Sequence, residues 1–216
     1  MEKKTNGKEI TVKLSEEQYA ELLKVLKQNN CPCACLFNDN TVKLSEVKEG
    51  EIIKTGKYEW IVLEHSAETT ALILSDILPE KKRFDSSSND WVKSSLRKWL
   101  NEDFASELFE EIGKENIIAH TPCLDTDDGT PNYKADKKKD YVSLLSADKY
   151  RKFRKYIKPL NHWWWTLTPL SSEVGADCVR VVDYVVTLNY DFSNCYYGVR
   201  PFIILKSNIF VYKKEN

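Results

Sequence analysis

The chain has 216 residues, enough for one large domain or one domain with an appendage, and 42% of them are hydrophobic, which suffices for a buried core. The formal net charge of −1 argues against a nucleic-acid partner and against attachment to an anionic membrane. The first residues lack the apolar stretch of a secretory signal, and no apolar run is long enough for membrane insertion.

Residues 1–40 predict a strand and a helix. Residues 8–14 alternate apolar and polar side chains, as in a strand. Ser15 is a good helix N-cap, and an apolar stripe continues to about residue 28. We interpret residues 1–40 as an N-terminal strand-helix appendage and residues 41–216 as the main domain.

Cysteine usage bears on the cellular compartment. An even count is compatible with disulfides, but a chain of this size can build an apolar core and shows no secretory signal. We expect reduced thiols in a cytoplasmic protein, monomeric or weakly oligomeric, with a virion or cell-surface location left open. The cysteines are Cys31, Cys33, Cys35, Cys123, Cys178 and Cys195.

The sequence C-x-C-x-C at Cys31, Cys33 and Cys35 raises the question of a metal site. Thiolates at this spacing can bind one ion, but tetrahedral sites usually draw on a second, closely spaced Cys or His pair, and none is nearby. A turn of small residues is the favoured interpretation.

Patterns after residue 50 predict a mixed domain. Strands are predicted at 50–53, 58–64, 69–77, 117–118 and 141–145, and two more, 201–206 and 209–212, as a hairpin across Ser207 and Asn208. A helical region is predicted over 90–112, with Asp90 as N-cap and a break at Asn101, and a second helix over 146–156. The residues expected in the core include Trp91, Trp99, Phe104 and Trp165.

The polar stretch 121–140 resembles a calcium loop only loosely. It contains Asp125, Asp127, Asp128 and Gly129, but the Glu at the twelfth position of an EF-hand is absent and no helix clearly leads in. A solvated loop is favoured, with calcium left open.

Residues 166–201 differ in composition from the rest of the chain. They contain no Lys and one Glu, Glu173, while Tyr, Asp, Asn, Ser and Thr take their place. Rigid amphipathic rings beside short polar groups are typical of an antibody paratope. The composition predicts a surface made for contact.

Five motifs follow one another within residues 50–206. Their order resembles an uncharacterised bacterial and phage domain family that runs W-x-x-S-x-L-R-x-W-L-N, F-L-L-S, W-W-L-R-[ST]-P-G and G-V-R-P-A. The motifs here are WVKSSLRKWLN (91–101), Phe104 with Phe109, VSLLS (142–146), WWTLTP (164–169) and GVRP (198–201). That family looks like the C-type-lectin-like fold of the formylglycine-generating enzyme. The resemblance implies an α+β fold with a small twisted antiparallel sheet, two main helices, chain ends close together and a loop-rich ligand face.

The chain departs from this pattern in places. Thr166 or Leu167 stands where the family has Arg, and Leu170 where it has Gly. Relatives of the fold include the variable proteins of diversity-generating retroelements, whose ligand face is rewritten mainly at Asn-type codons that cannot become Lys or Glu. The absence of Lys from 166–201 fits that restriction, although β-rich loop segments also often lack Lys and Glu.

Little in the chain favours catalysis. His65, His120 and His162 lack metal-site spacing, and no nucleophile elbow or phosphate-binding loop occurs. An oxidase of the formylglycine-generating type would need Cys178 close to Cys195. We expect Arg200 to hold carbonyls or a carboxylate beneath the ligand face.

We therefore predict a non-enzymatic ligand-binding protein with no cofactor or metal, whose partner is an unknown protein or glycan. An oxidase of the type named above, or a structural phage or surface component, is the alternative. The residues expected to face outward and bind are Ser171, Ser172, Asp177, Asp183, Tyr184, Asn189, Tyr190, Asp191, Asn194, Tyr196 and Tyr197. Between them, Val181 and Val185 or their neighbours are expected to feed the core.

Overall fold

The computed structural model describes residues 17, 18, 21, 24, 41–130, 138–171, 175 and 177–214. The chain divides into two compact units, residues 1–41 and 42–216. In the first unit the described positions 17, 18, 21 and 24 are helical, as the apolar stripe predicts. The predicted strand at 8–14, the N-cap Ser15 and the cysteines at 31–35 lie outside the described residues.

The second unit is a mixed α+β structure, as predicted, in which the described strands form two antiparallel sheets. The larger sheet has the order β1-β10-β2-β3-β4-β9-β5, and the smaller sheet has the order β6-β7-β8. The strands are β1 Thr41–Lys43, β2 Ile52–Thr55, β3 Tyr58–His65, β4 Thr69–Leu74, β5 Val142–Ser143, β6 Trp164–Pro169, β7 Cys178–Val182, β8 Leu188–Phe192, β9 Phe202–Lys206 and β10 Phe210–Lys213.

The predicted hairpin of the last two strands is wrong. β9 pairs with β4 and β5, with Leu72 opposite Ile203, whereas β10 pairs with β2. The Ser207 amide donates to the carbonyl of Glu68, so the connection between β9 and β10 passes the turn between β3 and β4. Alternating apolar residues predict that a strand exists but not which strand it pairs with.

From Ser95 to Ile112 the helical region runs through three consecutive elements. Ser94 caps α1 (Ser95–Trp99) by accepting a hydrogen bond from the Arg97 amide at 3.1 Å. A π-helical turn, Leu100–Phe104, leads into α2 (Ala105–Ile112). The predicted break at Asn101 is therefore wrong. Instead, Asn101 joins the helix to β5, because its Nδ2 donates to the Val142 carbonyl at 2.8 Å and its Oδ1 accepts from the Tyr141 amide at 2.8 Å.

The core confirms three of the four predicted aromatic residues. Trp91, Phe104 and Trp165 are buried. Trp99 is only partly buried: it stacks on Phe104 with ring centroids 5.8 Å apart, and the Lys82 ammonium lies 4.2 Å from its ring centroid. Trp99 therefore closes the edge of the core instead of filling its centre.

The second predicted helix is confirmed as α3 (Ala147–Phe153), followed by a 3₁₀ turn, Arg154–Tyr156. Ser146 caps α3 by accepting from the Lys149 amide at 3.2 Å. Its residues Tyr150 and Phe153 are buried together with Trp164 of β6. This packing places the smaller sheet beside α3.

Candidate ligand-binding face

The β7–β8 hairpin is the element on which most of the predicted binding residues lie. In β7, Val179 and Val181 are buried in the core and fix one side of the hairpin. β8 is the outer strand of its sheet, with Tyr190 opposite Arg180 and Phe192 opposite Cys178. Alternation along the two strands therefore leaves part of β8 exposed on a rigid base.

Four aromatic residues of this region are exposed, and we call them the aromatic set. The set comprises Tyr184 (60% exposed), Tyr190 (53%), Phe192 (54%) and Tyr196 (58%). Arg83 lies over the Tyr196 ring at 4.8 Å, and Arg180 lies 5.7 Å from the centroid of Tyr190. Three of the four were predicted to face outward; Phe192 was missed, although its alternation with Tyr190 along β8 would have indicated it.

The hairpin tip corrects two predictions. Asp183 is buried, because its carboxylate accepts from the amides of Val185 (3.0 Å) and Thr187 (2.9 Å) and from the Thr187 hydroxyl (2.6 Å). Val185 is exposed at the tip and does not feed the core, because the chain turns there. Burial raises the pKa of Asp183, but the hydrogen bonds outweigh it and hold that pKa below its usual value.

The tip is held in a conformation that β-branched residues rarely adopt. Val186 has φ of 63°, in the left-handed region. Its carbonyl accepts a hydrogen bond from the Tyr150 hydroxyl of α3 at 2.6 Å. Together with Asp183 this contact fixes the loop that displays Tyr184.

Tyr197 is partly buried and supports the face from below, contrary to the prediction that it points outward. Its ring stacks on Trp163 at 5.5 Å and meets Trp165 edge-on at 5.0 Å. Its hydroxyl donates to the Asp191 carboxylate. Burial raises the pKa of Tyr197, and the carboxylate raises it further.

The remaining predicted residues divide by exposure. Asp177, Asn189 and Asn194 are exposed, as expected, and Ser171 and Asp191 are half-buried. Ser172 lies outside the described residues. The face thus consists of the aromatic set with three exposed polar residues around it.

Arg200 is fully buried and confirms the prediction that it holds carbonyls. Its Nε donates to the Leu74 carbonyl and its Nη2 to the Ser75 carbonyl, both at 2.8 Å. The guanidinium lies 5.2 Å from the centroid of Trp164, a contact that the sequence did not indicate. Burial lowers the pKa of Arg200 to about 10. The residue ties the start of β9 to the end of β4 and to β6.

The surroundings of the two thiols near the hairpin are unfavourable for nucleophilic chemistry. Cys178 is buried and Cys195 half-buried, and neither is in a disulfide. Burial raises the pKa of both thiols, and the charge of Asp177 or Asp191 adds to the effect. Both thiols are therefore protonated at neutral pH, whereas the thiolate is the nucleophile.

The aspartates of the loop at 121–130 are engaged with protein groups. Asp127 forms ion pairs with Arg180 at 2.5 Å and with Arg151 at 2.8 Å, and Asp128 accepts from the Thr130 amide at 2.9 Å. Among the described residues, no group of three or more His, Cys, Asp or Glu side chains could hold a metal ion. Asp127 thus acts as a clamp between α3 and β7.

A concave region lies away from the hairpin. It is a cleft of about 590 Å³ between the start of β3, the end of β4 and the helical region, with Tyr58, Leu78, Trp99 and Glu107 in its walls. Its volume is within the range of small-molecule sites. It is a competing location for a ligand.

Comparison with known proteins gives one partial match. Residues 68–149 match the model of a family described as a domain of unknown function (DUF6273). This segment runs from the turn before β4 into α3 and contains the first three of the five motifs, but it ends before 164–169 and 198–201. No curated protein and no solved structure matches the chain. In the described part of the chain, no helix combines the length and apolar character needed to cross a membrane.

Proposed function

We propose that the chain is a non-enzymatic ligand-binding protein whose aromatic set, with the polar residues around it, contacts a protein or glycan. One observation carries the proposal. Of the seven large hydrophobic residues exposed in the described ranges, five lie between positions 184 and 196. Concentrated exposed apolar surface on a stable scaffold marks an interaction site.

The chemistry of the face supports recognition. Tyr rings give large contact area with few rotatable bonds, so that ordering them on binding costs little entropy. Asp177, Asn189 and Asn194 add short hydrogen-bonding groups beside them. Below these residues, Tyr197 on Trp163 and the hydrogen-bonded Asp183 hold the backbone in place. Variable contacts on a rigid base are the arrangement that binding sites use.

We also propose the C-type-lectin-like fold for residues 41–216. Two features support it. The chain's β1 and β10 are neighbours in the sheet, so the ends of the domain lie close together, and the Gly-Val-Arg-Pro turn is buried.

The raised pKa values of Cys178 and Cys195 count against the alternative of a thiol oxidase.

We further propose that the exposed residues of this face are the positions that a diversity-generating retroelement would rewrite. Tyr184, Tyr190, Asn194 and Tyr196 are exposed, so their replacement leaves the core intact. Asp183 and Tyr197, which carry the scaffold, would be kept.

The experiment is a pair of displayed libraries. The first randomises Tyr184, Tyr190, Asn194 and Tyr196; the matched control randomises four exposed residues of the helical region, Lys93, Lys98, Glu102 and Glu110. Both are panned against the same test protein, hen lysozyme. Folded members are expected in both libraries and binders only in the first. Equal yields of binders, or a first library that is mostly unfolded, would contradict the proposal.

A further inference from the structure

The backbone of β8 has one open side, and the hydrogen bonds at the two ends of the hairpin show which residues face it. The Ser193 amide donates to the Asp177 carbonyl at 2.7 Å, and the Asp183 amide to the Thr187 carbonyl at 3.1 Å. Both bonds continue the register of β7 and β8, in which Tyr190 lies opposite Arg180. In an antiparallel ladder, hydrogen-bonded pairs alternate with non-hydrogen-bonded pairs.

The pairs 177:193, 179:191, 181:189 and 183:187 are therefore the hydrogen-bonded ones. The amides and carbonyls of Leu188, Tyr190 and Phe192 point away from β7. Phe192 has partners there, since its amide donates to the Asp191 carboxylate at 2.7 Å and its carbonyl accepts from the Cys195 amide at 3.0 Å. Among the described residues, no backbone partner faces Leu188 or Tyr190.

β8 also lacks several of the features by which proteins protect an outer strand. Its sequence, LNYDF, has no Lys and no Pro, and it carries no bulge in its pairing with β7. Tyr190 and Phe192, both about half exposed, flank the open edge on one face. An unprotected strand edge with exposed aromatic residues is a template for another strand.

We propose that β8 binds an extended peptide strand with basic side chains, by adding it to the β6-β7-β8 sheet. This inference rests on the proposed function and specifies the partner of the same face. The open amides and carbonyls of Leu188 and Tyr190 supply four hydrogen-bonding groups, and the rings of Tyr190 and Phe192 contact the alternate side chains of the added strand.

Charge supports a basic partner. Asp177 lies just before β7 and Asp191 lies within β8, and neither forms an ion pair with a basic side chain in the described ranges. Arg180, the cation of this hairpin, is already paired with Asp127 at 2.5 Å. The β7–β8 hairpin therefore carries unbalanced negative charge of its own, which attracts Lys or Arg side chains of a bound strand.

The same hydrogen-bond pattern disfavours a second copy of β8 paired about Tyr190. A two-fold axis at Tyr190 would place Phe192 of one copy opposite Leu188 of the other. Because the Phe192 amide is already bound to Asp191, the Leu188 carbonyl would lack a donor.

The test pans the protein against a phage library of random linear dodecapeptides and measures the affinity of the enriched peptides. Two variants, Tyr190→Pro and Tyr190→Ala, both lose the ring, but only proline removes the outward amide. The ladder to β7 keeps its bonds in both variants, because the Tyr190 amide does not face β7. Thermal melts check that both variants fold.

We expect peptides rich in Lys and Arg that bind Tyr190→Pro about tenfold more weakly than Tyr190→Ala, for one lost hydrogen bond. N-methylation of the peptide should abolish binding at every second position, and this scan decides the question if Tyr190→Pro does not fold. Equal affinity for the two variants with no alternating pattern, or no enriched peptide, would overturn the strand pairing. Peptides that respond to Tyr184→Ser or Tyr196→Ser but show no alternating pattern would overturn it while leaving the proposed function intact.

Discussion

Tyr197 stacks on Trp163 with ring centroids 5.5 Å apart and ring planes inclined by 24°. The preceding residue in the chain, Tyr196, is exposed. Two adjacent tyrosines therefore have different roles: one supports the face and the other belongs to its surface. Truncating the two side chains should accordingly have different effects on stability.

Replacing Tyr197 by Ser should lower the free energy of unfolding by about 2 kcal/mol, because a half-buried ring with two aromatic neighbours is lost. The matched change Tyr196→Ser should alter it by less than about 0.5 kcal/mol. Urea titrations of both variants measure the difference. Equal losses would show that the two rings are equally part of the core.

Replacing Trp91 and replacing Trp99 should likewise have different effects on the free energy of unfolding. Trp91 is buried and its indole donates to Asp140 at 2.8 Å, so Trp91→Ala should cost about 3–5 kcal/mol of unfolding free energy. Trp99 is partly exposed, so Trp99→Ala should cost about 1–3 kcal/mol. Denaturant midpoints of the two variants give the comparison, and a larger loss at Trp99 would contradict the packing described.

Sequence periodicity predicted the helices and most strands because a buried stripe repeats at the period of the element. It placed α3 and its cap Ser146 correctly. It failed at Asn101, since an isolated Asn in a helical pattern indicates a break, whereas here its amide finds partners in β5. Those partners are 40 residues or more away in the chain, and no local pattern reports them.

The same limit applies to the ligand face. Composition indicated a contact surface within residues 166–201, and Tyr184, Tyr190 and Tyr196 are exposed as predicted. Composition cannot separate Asp183 from Asp177, because both are short acids beside a strand. Only the turn geometry decides that Asp183 faces inward to four hydrogen bonds and Asp177 faces solvent.

His120 predicts a pH effect on stability. Burial, with the charge of Lys149 adding to it, lowers the pKa of His120 to about 4. Between the unfolded value of about 6.5 and pH 4, the unfolded chain binds a proton here that the folded chain does not, so acid favours unfolding. Between pH 6.5 and 4.5, the His120→Gln variant should therefore lose about 2 kcal/mol less unfolding free energy than the unaltered protein.

The measurement is urea unfolding at those two pH values. His162→Gln is the matched control, because His162 is exposed and its replacement should keep the wild-type dependence. A His120 variant with the wild-type dependence would show that this imidazole titrates normally.

Because Arg200 is buried and hydrogen-bonded, we expect its replacement to lower the free energy of unfolding strongly. Arg200→Met should lower the free energy of unfolding by about 2–4 kcal/mol, because the carbonyls of Leu74 and Ser75 lose their donors. Arg83→Met, at an exposed arginine, should change it by less than about 0.5 kcal/mol. Chemical denaturation compares them, and a small loss at Arg200 would show that water replaces the guanidinium.

A hydrogen-exchange footprint, recorded with a ligand obtained by panning against the unaltered chain, decides whether the hairpin is the binding surface. Bound ligand should slow exchange of amides within residues 183–197 and leave the cleft at 57–59 and 74–80 unchanged. Slowed exchange in the cleft, with none in the hairpin, would contradict the proposed function.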